Sequence, residues 1–105
     1  MKKIVIMFSI LFTTLSANAT DWITVNDMSL IKWQITPGGM VYFRNLNEFN
    51  SQALPCCYNY YIDTTTPGGK SLWSVVLTKM TTSEKLILGT PKINTAGPIT
   101  YAGIW

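Results

Sequence analysis

Few residues in this chain can do chemistry. It contains no histidine, which removes Ser-His-Asp and Cys-His nucleophile arrangements together with the usual general base at neutral pH. The five carboxylates, Asp21, Asp27, Glu48, Asp63 and Glu84, are dispersed along the sequence. Asp63 stands between an aromatic run and a helix start, a place that suits capping or solvation better than catalysis. Gly68-Gly69-Lys70-Ser71 has the closing letters of a phosphate loop, but Thr64 occupies the position where the first glycine is required. The chain is therefore expected not to be an enzyme and to need no cofactor. A metal site is not expected either, because the only thioethers beyond the N-terminal stretch are Met28, Met40 and Met80.

The remaining reactive pair is Cys56-Cys57. Neighbouring Cα atoms across a trans peptide lie about 3.8 Å apart, short of the usual disulfide range of about 4.4–6.8 Å, and a bridge between neighbours closes no long loop. Three states are open to the pair: a vicinal disulfide, a bridge from one or both thiols to another chain, or two free thiols buried as small hydrophobes. None of them gives the loop-closure stabilisation that a disulfide usually brings to a small exported domain.

Aromatic side chains offer the other chemistry, recognition by stacking. All four tryptophans, Trp22, Trp33, Trp73 and Trp105, and all five tyrosines lie beyond residue 20. A flat apolar ring with a polar tip suits amphipathic ligands such as sugars. In a domain this small, Trp33, Trp73 and Tyr58 are expected in the core or at a subunit contact. Tyr42, Arg44, Tyr60 and Tyr61 are the candidates for a ligand-binding surface.

Export follows from the first residues. Lys2 and Lys3 precede an apolar run from Ile4 to Leu15, and Ala17-Asn18-Ala19 has the small-x-small form of a signal-peptidase site. Residues 1–19 are thus expected to be a signal peptide cleaved after Ala19, leaving one domain, 20–105, in the periplasm or outside the cell. No integral membrane segment is expected after that removal, since the apolar run is short for a span. The whole chain carries a net charge of +3. The mature part has six basic side chains (Lys32, Arg44, Lys70, Lys79, Lys85, Lys92) against the five acids. With no basic cluster there is no footprint for nucleic acid.

The elements that must position these residues are mostly strands. Ile23 and Val25 alternate with polar neighbours, and Ile31, Trp33 and Ile35 share one face opposite Lys32 and Gln34. Thr36-Pro37-Gly38-Gly39 punctuates the chain before Met40 to Arg44, which predicts a hairpin over Ile31 to Arg44. Asn45 to Pro55 reads as a polar surface loop. Tyr58 to Ile62 predicts a strand with Tyr58, Tyr60 and Ile62 on one face and Asn59 and Tyr61 on the other. Thr66-Pro67 is a helix start, and Leu72, Val76 and Met80, widened by Trp73 and Leu77, form its apolar stripe. Lys85 to Leu88 and Ile99 to Trp105 predict two closing strands, the last paired in a sheet or at a subunit contact. Several strands, one helix and two strands predict a mainly β domain, a small OB-like partly open barrel, with an antiparallel sheet carrying one packed helix as the alternative.

Three stretches carry a resemblance: Cys57-Tyr58-Asn59-Tyr60-Tyr61-Ile62-Asp63, then Thr66 to Thr78 with its Gly68-Gly69-Lys70 entry, then Lys85-Leu86-Ile87-Leu88. This layout, over Cys57 to Leu88, resembles small secreted bacterial proteins and is distantly similar to the B subunits of AB5 toxins of the subtilase-cytotoxin type. Those relatives place a second cysteine near the strand after the helix, where this chain reads Thr90-Pro91-Lys92-Ile93-Asn94. The resemblance implies an OB-fold module that binds glycans and assembles as a homo-oligomer. The other expectation, of a different class, is a periplasmic structural protein or an inhibitor whose ligand is a protein.

Overall fold

A computed structural model of the chain describes residues 19–105; all of the expected signal peptide except Ala19 lies outside the described residues. Strand β1 spans Asp21–Val25, and a 3-10 turn at Met28–Leu30 separates it from β2, Trp33–Ile35. Next come β3, Met40–Phe43, a second 3-10 turn at Leu46–Glu48, and β4, Tyr60–Asp63. Among the described residues one α-helix, α1, covers Pro67–Thr81, followed by β5, Leu86–Thr90, a two-residue β6, Gly97–Pro98, and β7, Tyr101–Gly103.

The strands form two sheets, one of order β1-β5-β7 and one of order β2-β3-β4-β6. Every pairing is antiparallel except β4 with β6, which run parallel. The described residues are mainly β with one α-helix, and their ladders do not join into one closed barrel. Instead the two sheets are connected at both edges by chain. Residues 26–32 lead from β1 to β2, and Ile99-Thr100 leads from β6 to β7. No helix among the described residues is long and apolar enough to cross a membrane.

The hairpin forms where the punctuation predicts it, with Trp33 opposite Phe43 and Ile35 opposite Val41. Its turn closes through Gly39 N–H to Thr36 O at 3.0 Å and Thr36 N–H to Met40 O at 2.9 Å. Gly39 has φ +89°, and a Cβ there would also crowd the Thr64 hydroxyl at 3.0 Å, so both backbone hand and space call for glycine. The expected strand over residues 31–35 is shorter. Asp27 accepts from Ser29 N–H at 3.0 Å and from the Ser29 hydroxyl at 2.6 Å, a local cap that turns the backbone before Ile31.

The helix begins where its start signal places it. Thr66 Oγ1 accepts from Gly69 N–H at 3.0 Å, with Pro67 in the first turn. Its stripe meets the core through Val76, fully buried, with Leu72, Trp73 and Met80 partly so, while Leu77 stays exposed at the stripe's edge. Hydrogen bonds from the Thr65 hydroxyl and then its N–H hold the Asp63 carboxyl below its usual pKa. At the other end Glu84 is lowered by the Thr82 hydroxyl and then by Lys79. Both carboxylates favour the folded helix ends above the ordinary carboxylate range, and that contribution is lost as pH falls through their lowered values.

Ile23, Val25, Met28, Val41, Phe43, Tyr60, Ile62, Val76, Leu86 and Leu88 make the centre of the core. Strand β5 is buried at all five positions: it lies between β1 and β7, Leu86 and Leu88 enter the core, and on the other face Trp22 and Tyr101 lie over Gly89. The segment expected to be a surface loop, Asn45 to Pro55, instead sends Leu46 and Ala53 into this core. Asn45, only 3% exposed, accepts from Lys32 N–H at 2.8 Å and donates to Leu30 O at 3.0 Å. One amide thus satisfies both backbone groups at the bend that passes the chain from one sheet to the other. Asn45→Ala leaves both groups without that partner, and urea unfolding should show a loss of about 2–4 kcal/mol. A change under about 0.5 kcal/mol, the level of an uninvolved surface position, would show that the bend does not need the amide.

Candidate functional site

The pleat of β3 and β4 separates core from surface. Val41 pairs with Ile62 and Phe43 with Tyr60, all buried, whereas the intervening pair Tyr42 and Tyr61 faces outward and is half-buried. Their rings lie 6.2 Å apart. Tyr58 joins them from the bend before β4, with its ring edge-on to Tyr42 at 5.4 Å.

Arg44 ties this face together. Its guanidinium lies 5.2 Å from the Tyr58 ring centroid, a cation–π contact, and donates to Gln34 Oε1 at 2.7 Å. The Tyr58 hydroxyl donates to the same oxygen at 3.3 Å. Arg44 also donates to Cys57 Sγ at 3.3 Å. Cys56 and Cys57 are bonded to each other as a vicinal disulfide, with Cys56 exposed and Cys57 half-buried. The face is therefore three phenol rings, one guanidinium, one amide and one apolar disulfide. Flat rings beside directional donors and acceptors can stack on and hydrogen-bond a polyhydroxylated ligand.

Of the sequence candidates, Tyr42, Arg44 and Tyr61 are brought together on this face. Tyr60 is not among them. It is 1% exposed, its hydroxyl accepts from Leu54 N–H at 2.8 Å and donates to Ile93 O, and its ring belongs to the core. Tyr58, expected in the core or at a subunit contact and on the face of Tyr60, is 56% exposed beside Tyr42. The reason is local: β4 starts at Tyr60, so strand alternation does not govern Tyr58. Gln34 was legible only as the outward neighbour of Trp33 and Ile35; its role comes from its pairing with Tyr42 across the hairpin.

Two other surface features lie away from this face. The first includes the end of the expected closing strand Ile99 to Trp105, of which only Tyr101–Gly103 pairs, leaving Ile104 and Trp105 beyond the ladder. Trp22 lies across Gly89, where a Cβ would approach its ring to 2.6 Å, and packs against Tyr101 at 5.7 Å and Trp105 at 5.0 Å. All three rings remain exposed, as does Ile104. Second, a cleft of about 520 Å³ is lined by Asp21, Gln52, Lys92, Ile93 and Asn94. Asp21 is already engaged there, accepting from Ile93 N–H at 2.8 Å. Trp33, also expected in the core or at a subunit contact, is 41% exposed and edge-on to Trp73 at 4.9 Å. Among the described residues no group of three or more His, Cys, Asp and Glu is placed to hold a metal ion.

No protein-family model, curated protein or solved structure matches the chain.

The two kinds of tyrosine respond differently to loss of a hydroxyl. Tyr60→Phe orphans Leu54 N–H and Ile93 O inside the fold and should cost about 1–3 kcal/mol in denaturant unfolding. Tyr61→Phe, on the open face, should stay within about 0.5 kcal/mol of the parent. Equal effects for the pair would contradict the separation of core from face drawn here.

Proposed function

We propose that the chain is an exported, non-enzymatic binding module whose four-stranded sheet binds glycans through Tyr42, Tyr58, Tyr61, Arg44 and Gln34. The observation that carries this reading is the outward Tyr42–Tyr61 pair, extended by Tyr58 and crossed by Arg44. Sugars present apolar C–H faces and rings of hydroxyls, and this surface offers rings for the first and an amide and guanidinium for the second. The distant similarity to AB5 toxin B subunits points the same way, as does the signal-like start of the sequence.

The OB-like reading of the fold is part of the proposal. Taken in spatial order, β1, β5 and β7 lead by chain into β6, then β4, β3 and β2, and by chain back to β1. Treating β1–β2 and β6–β7 as two bent strands gives a ring of five extended stretches, as a partly open OB barrel has.

A glycan array probed with residues 20–105 is the direct test. We expect signal for a discrete set of oligosaccharides, weakened at least tenfold, about 1.4 kcal/mol, by Tyr42→Ala or Tyr61→Ala. An array with no signal above background would overturn the glycan reading.

A protein ligand is favoured by a different observation, the exposed cluster of Trp22, Tyr101, Ile104 and Trp105 on the outer face of the three-stranded sheet. Exposed aromatic clusters are characteristic of protein interfaces. If that partner is a second copy of the chain, light scattering on residues 20–105 should report a mass above the monomer, lowered by Trp105→Ser. A monomer mass at high concentration would exclude self-association as the use of this patch.

A further inference from the structure

We propose that the Cys56–Cys57 disulfide is a redox latch on the tyrosine face: reduced by a dithiol, it releases Arg44 and Tyr58 and switches binding off while the fold persists. The consequence for binding rests on the glycan reading above. The latch itself rests on what surrounds the bridge.

Adjacent cysteines close no long loop, so their bond removes little conformational freedom from the unfolded chain. The fold is held elsewhere, by the core between the two sheets and α1, and neither cysteine belongs to that core. What the bridge does hold is local. Bonded to its neighbour, Cys57 cannot rotate its sulfur away from the Arg44 guanidinium, 3.3 Å distant. Arg44 is in turn the group that spans Gln34 and the Tyr58 ring. Tyr58 follows Cys57 directly and depends for its place on Tyr42, Gln34 and Arg44. Breaking the bond frees two side-chain rotors beside the most connected residue of the face.

The bridge is also open to attack. Cys56 is exposed, whereas Cys57 is half-buried under Arg44. A thiolate of an external dithiol would attack Cys56 Sγ, forming a mixed disulfide and expelling Cys57 as a thiolate, which takes up a proton and, no longer tethered, is free to turn away from Arg44. The second thiol of the reductant then attacks its own sulfur in the mixed disulfide and releases Cys56. In sum the protein gains two electrons and two protons, and the dithiol leaves as its own disulfide. In an oxidising compartment the latch is closed.

The test compares residues 20–105 before and after dithiothreitol, with the two-hydrogen mass gain confirming reduction. Cys56→Ser/Cys57→Ser supplies a bridge-free chain without reductant. NMR should show the ring signals of Tyr42 and Tyr58 and the side-chain signal of Arg44 displaced, with those of Val41, Tyr60 and Ile62 unmoved. The glycan-array signal should fall at least tenfold in both bridge-free forms. Unmoved Tyr42, Tyr58 and Arg44 signals would overturn the latch. So would loss of the fold on reduction, which would make the bridge a structural staple, and so would an undiminished array signal. An array silent in the oxidised form sinks the glycan reading alone, and the latch then stands or falls on the NMR displacement.

Discussion

The register between β3 and β4 is the constraint on which the rest of the molecule depends. With Val41 opposite Ile62 and Phe43 opposite Tyr60, the apolar set enters the core, and Tyr42 opposite Tyr61 is left on the surface. Because side chains alternate with period two, a slip of one residue would exchange the two sets. Slipped by one, β4 would turn Tyr61 inward and expose Tyr60 and Ile62 against an unchanged β3. The register is anchored where the hairpin turn meets the end of β4. Gly39 O accepts from Thr64 N–H at 2.9 Å and from the Thr64 hydroxyl at 2.6 Å. A turn residue of one hairpin thus sets the alignment of the next pair of strands, and with it the composition of the face.

Local backbone accounting does comparable work where the chain changes sheets. Among the described residues no buried side-chain nitrogen or oxygen lacks a partner. Asn45 and Tyr60 show how this is reached, since each spends a polar side chain on two backbone groups outside its own element. Thr90, fully buried at the end of β5, donates to Pro98 O at 3.0 Å and so tethers β5 to the short β6 segment. A small β domain with limited core area depends on such closures, because each unpaired buried group would cost as much as a well-buried methyl group contributes.

Much of the architecture was legible in the residues, for reasons that can be named. The helix was marked by Thr66 and Pro67, whose caps act within one turn and need no distant partner. The hairpin was marked by its Thr36 to Gly39 punctuation and by alternation on either side. Two instructive readings failed, one to a contact distant in sequence and one to where a strand begins. Asn45 to Pro55 looked polar, but Asn45 is buried because Leu30 and Lys32 present backbone groups to it. Tyr58 and Tyr60 looked equivalent by spacing, yet only Tyr60 lies within the pleat, while Tyr58 precedes it in a bend beside the bridged cysteines.

By itself the sequence determined what is local or compositional. The absence of histidine excludes its catalytic arrangements, the spacing of Ile23, Val25 and Leu72, Val76, Met80 sets strand against helix, and adjacency of Cys56 and Cys57 rules out a long-loop bridge between them. Only the tertiary structure decided which aromatic rings meet. Tyr42, Tyr58, Tyr61, Arg44 and Gln34 come from three separate stretches of chain and converge because β2, β3 and β4 are neighbours in register. Alternation can say that a tyrosine points to one side of a strand. Which side is core follows from what packs there, and that is a property of the whole fold.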